Sequence, residues 1–377
     1  MSIDQAGEIW RELEARSDSG VFLSWLWISA WLHELAAMPP LLVGEAAGRV
    51  VLLGFLVPSS RRLGGVIRFD GLRLHTTGQE HEDSIAIEYN GFLTDRDWAG
   101  RIERLALAWL LAGHKVGGSR PAEVHIISML DTQRESWTPE NAVCRIPFRK
   151  PSWRVDLAAL RARGTDYLAS LRPNTRQQIR RSMRLYDADG GLHATWADTA
   201  EAGLHFLDGL KVLHQHQWET RGKPGGFASP FFERFQRRLV ATAVPAGVAE
   251  IVCIARGDQP IGYLYNLVWR GQVHAFVSGI LLEKDNRLKP GLVCHALCIQ
   301  HHLDRDAAAY DFMAGEFRYK ASLGEPGPDF IYLLLQRRTI AARLESALYA
   351  ARDTLRTASP LPPWAPLGRG RRAQRAG

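Results

Sequence analysis

The sequence predicts a mixed α/β protein built as two related units, and three observations carry that prediction. Three strand patterns follow one another at 250–255, 261–269 and 272–280, separated by the turns Arg256-Gly257-Asp258-Gln259 and Arg270-Gly271. A basic turn closing on Pro290-Gly291 then opens a helix with one apolar face, which leads into a short strand, Asp311-Phe312-Met313-Ala314. Residues 41–129 repeat this grammar more crudely, which suggests a duplicated plan.

Taken in order, residues 21–35 place Trp25, Trp27, Trp31 and Leu32 on a partly helical apolar face and read as a core helix. Residues 41–45 and 50–57 read as a hairpin about Ala46-Ala47-Gly48. Strands at 72–76 and 84–88, a helix over 97–112 and a strand at 123–129 complete the first unit, set at 1–155. In the second unit, 156–357, Asn174 to Gln177 resemble a capping box for a helix ending near Gly190-Gly191. A strand at 192–197 follows, and then a long helix capped by Asp198. Ser229-Pro230 starts another helix. The strands at 272–280 and 311–314 are expected to be parallel, with the intervening helix as their crossover. A strand at 330–336 and a terminal helix are assigned to the same domain. Residues 358–377, with Arg369, Arg371, Arg372 and Arg375, read as a disordered basic tail.

Of the 377 residues, 46% are hydrophobic and 23% charged, enough for a sizeable core in each of two units. The net charge of +7 favours anionic partners such as phosphates and carboxylates. Cys144, Cys253, Cys294 and Cys298 are too scattered for a disulfide framework and read as reduced thiols, which fits a cytoplasmic location. No segment is long and apolar enough to span a bilayer.

The Pro290-Gly291 turn carries the first chemical signal. Proline suits the first helical position because it has no N–H to leave unpaired, and glycine lets a ligand approach the backbone. The free N–H groups of that first turn favour a pyrophosphate, and Arg287 and Lys289 add positive charge. Arg176, Arg180 and Arg184 recur every fourth residue, with Arg181 beside them and Arg172 ahead. Such a face is either solvated or holds an anionic carrier, a CoA phosphate or RNA, although no RNP-like or KH-like motif is present. His214, Trp218 and Arg221 share one helical face. Cys294, Cys298 and His301 share a stripe too, but without a second ligand pair they read as core, and no metal is expected.

The segment Asp311-Phe312-Met313-Ala314-Gly315-Glu316-Phe317-Arg318-Tyr319-Lys320 resembles the D-F-x-x-G-x-x-x-Y-K signature of the CelD/BioF-like acetyltransferases. These are GNAT-superfamily relatives of the FemAB aminoacyltransferases. Arg176 to Leu185, His214, Trp218, Arg221, Gly222, Gly262 to Trp269 and Lys289 to Leu292 extend the resemblance, with Asn90-Gly91-Phe92 and the turn from Leu74 to Gly78 as faint anchors in the first half. Of the superfamily's Q/R-x-x-G-x-G/A cofactor loop, Arg287, Pro290 and Gly291 remain. The resemblance implies a tandem GNAT-like acyl-CoA N-acyltransferase fold. It also implies acyl transfer from acetyl-CoA, a longer acyl-CoA or an acyl carrier protein to a small-molecule amine, by direct attack.

Such a reaction needs a base for the amine, a donor for the thioester oxygen and an acid for the leaving thiolate. On that reading Glu316 or Asp311 is the base or amine-binding group and Tyr319 the acid. Arg287, Lys289, Gly291 and Leu292 hold the acyl-CoA, while His214, Trp218, Arg221 and Lys320 line the acceptor site. Two alternatives stand beside it. One is a Fem-like transferase that takes its acyl group from aminoacyl-tRNA, the only reading in which a nucleic acid takes part. The other is a non-catalytic GNAT-like scaffold in polysaccharide or envelope biosynthesis.

Overall fold

The strand patterns resolve into two mixed sheets in a computed structural model, which describes residues 1–358 and side chains as far as Tyr349. Of the tail expected at 358–377, Ala358 ends the helix Ile340–Ala358 and the rest lies outside the described residues. The second sheet runs in the order Glu325–Pro326, Ser152–Asp156, Ala309–Ala314, Gln272–Ile280, Gln259–Trp269, Ala249–Arg256 and Leu192–Trp196. The three expected antiparallel strands are adjacent in it. As expected, the Gln272 and Ala309 strands are parallel and are joined by the helix Pro290–Leu303.

The first sheet is ordered Leu41–Ala46, Arg49–Leu63, Ile67–Leu74, Glu123–Leu130, Phe330–Arg337 and Ala142–Arg145. It therefore contains the 330–337 strand, which the sequence reading had assigned to the second domain. This strand pairs antiparallel with Glu123–Leu130 on one side and Ala142–Arg145 on the other. Its run Ile331-Tyr332-Leu333-Leu334-Leu335 suits a central strand covered on both faces, and sequence neighbourhood carries no record of so distant a pairing.

Local corrections have local causes. No strand forms at 84–88. Asp83 accepts the N–H groups of Thr77 (2.7 Å) and Gly78 (2.8 Å), and Asp83–Ile85 closes as a single 3₁₀ turn. Ala86 and Tyr89 then take positive φ (54° and 51°), outside the extended region of a regular strand. The long helix Ala200–Glu219 is capped by Thr199, whose hydroxyl accepts Ala202 N–H, and not by Asp198. The helix expected from Asn174 starts at Pro173 without a side-chain cap.

One core joins the two sheets. Trp27 and Trp31 of helix Trp25–Glu34 are buried as expected, and Trp27 packs edge-on to Phe235 at 4.8 Å and Phe276 at 5.3 Å, both from the second half. The helix Ala200–Glu219 covers the end of the Gln272 strand so closely that a Cβ on Gly279 would stand 2.3 Å from Leu210 O. Gly279→Ala is accordingly expected to destabilise the protein by about 2 kcal/mol, seen as a lower denaturant midpoint. An unchanged midpoint would contradict this packing.

Candidate active site

The site begins where two parallel strands part. Strands Gln272–Ile280 and Ala309–Ala314 pair at only three positions, ending at His274 opposite Asp311. Just beyond, Phe276 is the extra residue of a β-bulge, since Tyr265 faces Val277 while Asn266 faces Ala275. Met313 of the other strand has φ 61°. A bulge bends its strand, so the ladder between the two strands ends here and they part toward their carboxyl ends, where open sheets of this kind take a ligand in a crevice.

The helix Pro290–Leu303 starts at this end. Its first intrahelical bond is donated by Val293 N–H to Lys289 O, which leaves the Gly291 and Leu292 N–H groups free of helix partners. A Cβ on Gly291 would meet nothing nearer than 3.8 Å, so the approach is open. Lys289 N–H donates to Ser182 Oγ at 2.8 Å, tying the turn to helix Pro173–Ala188. Arg287, expected at a phosphate, is paired with Asp285 at 2.8 Å and holds that carboxyl at about 2. The positive charge it brings to the turn is therefore largely cancelled.

Asp311 occupies a different position from the one its expected role as base requires. It is 4% exposed, and its carboxylate accepts Met313 N–H (2.7 Å) and the Tyr89 hydroxyl, with His274 Nδ1 at 3.3 Å. With Tyr89 of the first half and Met313 of the second both donating to it, this carboxylate is a clamp between the two halves. Lys320 is corrected in the same way. Its buried ammonium donates to Phe312 O (2.6 Å) and Ala314 O (2.7 Å), so it holds the strand end and does not face an acceptor.

Tyr319 lies half-buried at the start of helix Arg318–Leu323, with its ring stacked on His295 at 5.4 Å. Burial pushes its hydroxyl up to about 12, opposed by the charge of Arg221 from the end of the 200–219 helix. The structure thus brings Tyr319 and Arg221 to one neighbourhood. The Arg221 guanidinium lies 5.8 Å and the Lys223 ammonium 5.7 Å from the Trp218 ring. Both His214 ring nitrogens are taken: Nδ1 is 2.9 Å from Ser278 O and Nε2 accepts Gly226 N–H at 3.3 Å. Its part is to hold the helix against the Gln272 strand. Glu316 is exposed at the loop after Ala314.

Glu88 was missed by the sequence reading, which placed it at the end of a strand. Its loop is pinned from behind by Asn90, whose side chain donates to Leu74 O at 2.9 Å and lies 3.1 Å from His75 Nδ1. Gly91 is required there, because a Cβ would stand 2.8 Å from the Trp137 ring. The pinned loop reaches into the second half, where Glu88 accepts Ala314 N–H at 2.9 Å. Burial, with a smaller push from the adjacent Asp311, raises its carboxyl to about 7 against the pull of the Ala314 N–H, Lys320 and Lys150. The faint Asn90-Gly91-Phe92 anchor was the one available signal, lying directly after Glu88.

Cys294 and Cys298 are buried in the core, with Cys298 Sγ accepting Asn266 Nδ2 at 3.0 Å. Among the described residues, no three His, Cys, Asp or Glu side chains gather as a metal site, and no helix is long and apolar enough to cross a membrane.

Two mixed sheets, a bulged strand parting from a parallel neighbour and a helix aimed at the gap define a tandem GNAT-like acyltransferase fold. Residues 173–321 match the sequence model of the acetyltransferase (GNAT) domain. In fold the chain is similar to FemX (10% identity, TM-score 0.55, covering 88% of this chain and 96% of that one). It is also similar to the C-terminal domain of a putative lysylphosphatidylglycerol synthetase from Agrobacterium fabrum (11% identity, TM-score 0.53, covering 94% and 97%). A third similar fold is L-PGS from Bacillus licheniformis (10% identity, TM-score 0.51, covering 89% and 94%). No curated protein matches the sequence.

Proposed function

We propose that this protein transfers an acyl group from a thioester, acetyl-CoA, a longer acyl-CoA or an acyl-loaded carrier protein, to a small-molecule amine. The units 1–155 and 156–357 would divide the work, the second carrying the crevice and the first delivering Glu88, in a cytoplasmic enzyme of the CelD/BioF-like branch. The observation that carries this reading is the parting of the Gln272 and Ala309 strands beside the free N–H groups of Gly291 and Leu292. A phosphate of the donor fits those groups, with Lys289 alongside.

The amine must lose a proton, since a free alkylamine with a pKa of about 10.4 is almost wholly protonated at neutral pH. Glu88 suits that task better than Asp311, being half-buried and not saturated with donors, and Glu316 is the remaining carboxylate at the strand end. The amine nitrogen bonds to the thioester carbon as the carbon–sulfur bond breaks. The carboxylate takes the proton of the ammonium before attack, the leaving thiolate takes one from Tyr319, and the second nitrogen proton, lost as the amide forms, restores the Tyr319 hydroxyl. Tyr319→Phe is expected to lower kcat by about tenfold to a hundredfold with KM little changed. An unaltered kcat would remove Tyr319 from the chemistry.

Calorimetry with acetyl-CoA and longer acyl-CoAs tests the donor. Saturable binding supports the proposal, whereas none at millimolar ligand favours the non-catalytic scaffold. A second reading makes the donor an aminoacyl-tRNA, as the Fem resemblance implies, and the likeness in fold to FemX favours keeping it. Transfer from charged tRNA and not from acyl-CoA would select it.

A further inference from the structure

We infer that the exposed face of helix Pro173–Ala188 is a docking surface for an acidic carrier protein that presents its acyl group on phosphopantetheine. This deepens the proposed function by naming the donor's macromolecular part, and it rests on that reading for the identity of the reaction.

The helix contains Arg176, Arg180, Arg181 and Arg184, with Arg172 at its N-cap and no acidic residue in its first turn. Ile179, Ser182 and Tyr186 are buried, which turns Arg180, Arg181 and Arg184 outward, and all three are exposed. Arg176 and Arg184 donate to the backbone oxygens of Ala169 and Arg180. Among the described residues no carboxylate lies within ion-pair distance of any of the five. The nearby basic residues behave differently: Arg256 is paired with Asp189, and Arg287 with Asp285. A face kept only for solubility gains from i,i+4 acid–base pairs, and this helix has none. Unpaired, closely spaced arginines repel one another, a cost that an anionic partner removes.

Placement decides which partner. Ser182, on the same helix, accepts Lys289 N–H at the start of the Pro290 helix, so the arginine face adjoins the turn where a donor phosphate fits. From Arg172 to Arg184 the face extends about 18 Å at 1.5 Å per residue. That is long for the phosphates of one nucleotide and comparable to an acidic helix on a partner. The turn itself is equipped for little charge, with two free N–H groups, Lys289 and a neutralised Arg287. A phosphopantetheine arm brings a single phosphodiester to such a turn, and its affinity must come from the protein that bears it. The structure has that division, a modest phosphate turn beside a strongly positive helix. RNA is the weaker fit, because sequence-tolerant RNA binding joins basic charge to exposed aromatic platforms. The aromatic residue of this helix, Tyr186, is buried with its hydroxyl donating to Glu283 at 3.2 Å.

The test compares the full-length protein with its Arg180→Glu, Arg181→Glu, Arg184→Glu triple variant. Three probes are titrated: a bacterial acyl carrier protein in its acetylated holo form, acetyl-CoA, and bulk tRNA. The triple variant is expected to lose at least about tenfold in affinity for the carrier and to lose most of the salt dependence of that binding, with acetyl-CoA binding and melting temperature unchanged. Three results would overturn the inference: no carrier binding by the unmodified protein, an equal loss for acetyl-CoA, or stripe-dependent binding of tRNA tighter than that of the carrier. Arg→Lys at the three positions, which keeps the charge, should restore carrier binding, and failure to do so also counts against it. Carrier binding that depends on the arginines in a protein that transfers nothing to any amine would leave the dock standing and refute the transferase reading instead.

Discussion

Glu88→Gln is expected to lower kcat/KM by about 10²-fold or more, the usual contribution of a positioned general base. On the proposed reaction the unmodified protein should show kcat/KM rising with pH through a midpoint near 7, to which burial has moved the Glu88 carboxyl. Glutamine removes that limb while still accepting Ala314 N–H through its amide oxygen. The stability change has a definite sign. Between the ordinary value of 4.5 and about 7 the folded protein retains a Glu88 proton that the unfolded chain has released, so stability falls as pH rises across that window. Glu88→Gln escapes this loss and at pH 8 should be at least as stable as the unmodified protein. Lost activity with undiminished stability separates a chemical role from a structural one. A pH profile that keeps its midpoint near 7 in Glu88→Gln would assign the base to another group, with Glu316 next to be changed.

Asp311→Ala should behave in the opposite way, as a failure of folding. Removing this carboxylate leaves the Tyr89 hydroxyl and Met313 N–H without their acceptor and His274 without its neighbour, all in the buried seam between the two halves. Loss of a buried hydrogen-bonded carboxylate costs about 3–5 kcal/mol, a large part of the stability of an ordinary domain. Urea denaturation would show it as a large fall in midpoint. Asp311→Asn, which keeps one acceptor oxygen, should fall between Asp311→Ala and the unmodified protein in denaturation midpoint, and should keep the pH-dependent limb with its midpoint moved down, because the charge that helps raise the Glu88 carboxyl is gone. A wild-type midpoint for Asp311→Ala would mean that the clamp contributes nothing.

The two halves of the protein differ in how much of them the sequence exposed. The 250–280 strands were legible because alternating apolar residues, closed by Arg256-Gly257 and Arg270-Gly271, specify a meander through neighbours alone. The Pro290 helix and the parallel strand after it were legible for the same reason, since a crossover of this length leaves few topologies. Residues 84–88 were misread because Asp83 captures the backbone of Thr77 and Gly78, an interaction that outweighs the apolar alternation of Ile85 and Ile87. The 330–337 strand was misplaced because its partners lie about two hundred residues away in the chain.

The candidate site divides along the same line. Residue types and spacing marked Tyr319, the Pro290-Gly291 turn and the arginine face of the 173–188 helix, since each depends on a short stretch of chain. They could not distinguish a carboxylate available for chemistry from one saturated by donors. Asp311 and Lys320 belong to the most recognisable motif in the sequence, yet both are spent on holding the strand end. Glu88, outside that motif, is delivered to the same strand end by a loop from the other half. By itself the sequence determined the order of most elements and the motif on which the proposed chemistry rests, because helices, turns and strand meanders are set by residues close together in the chain. Only the tertiary structure decided which acid remains available, because burial and hydrogen-bond saturation are set by residues that the fold brings together from afar.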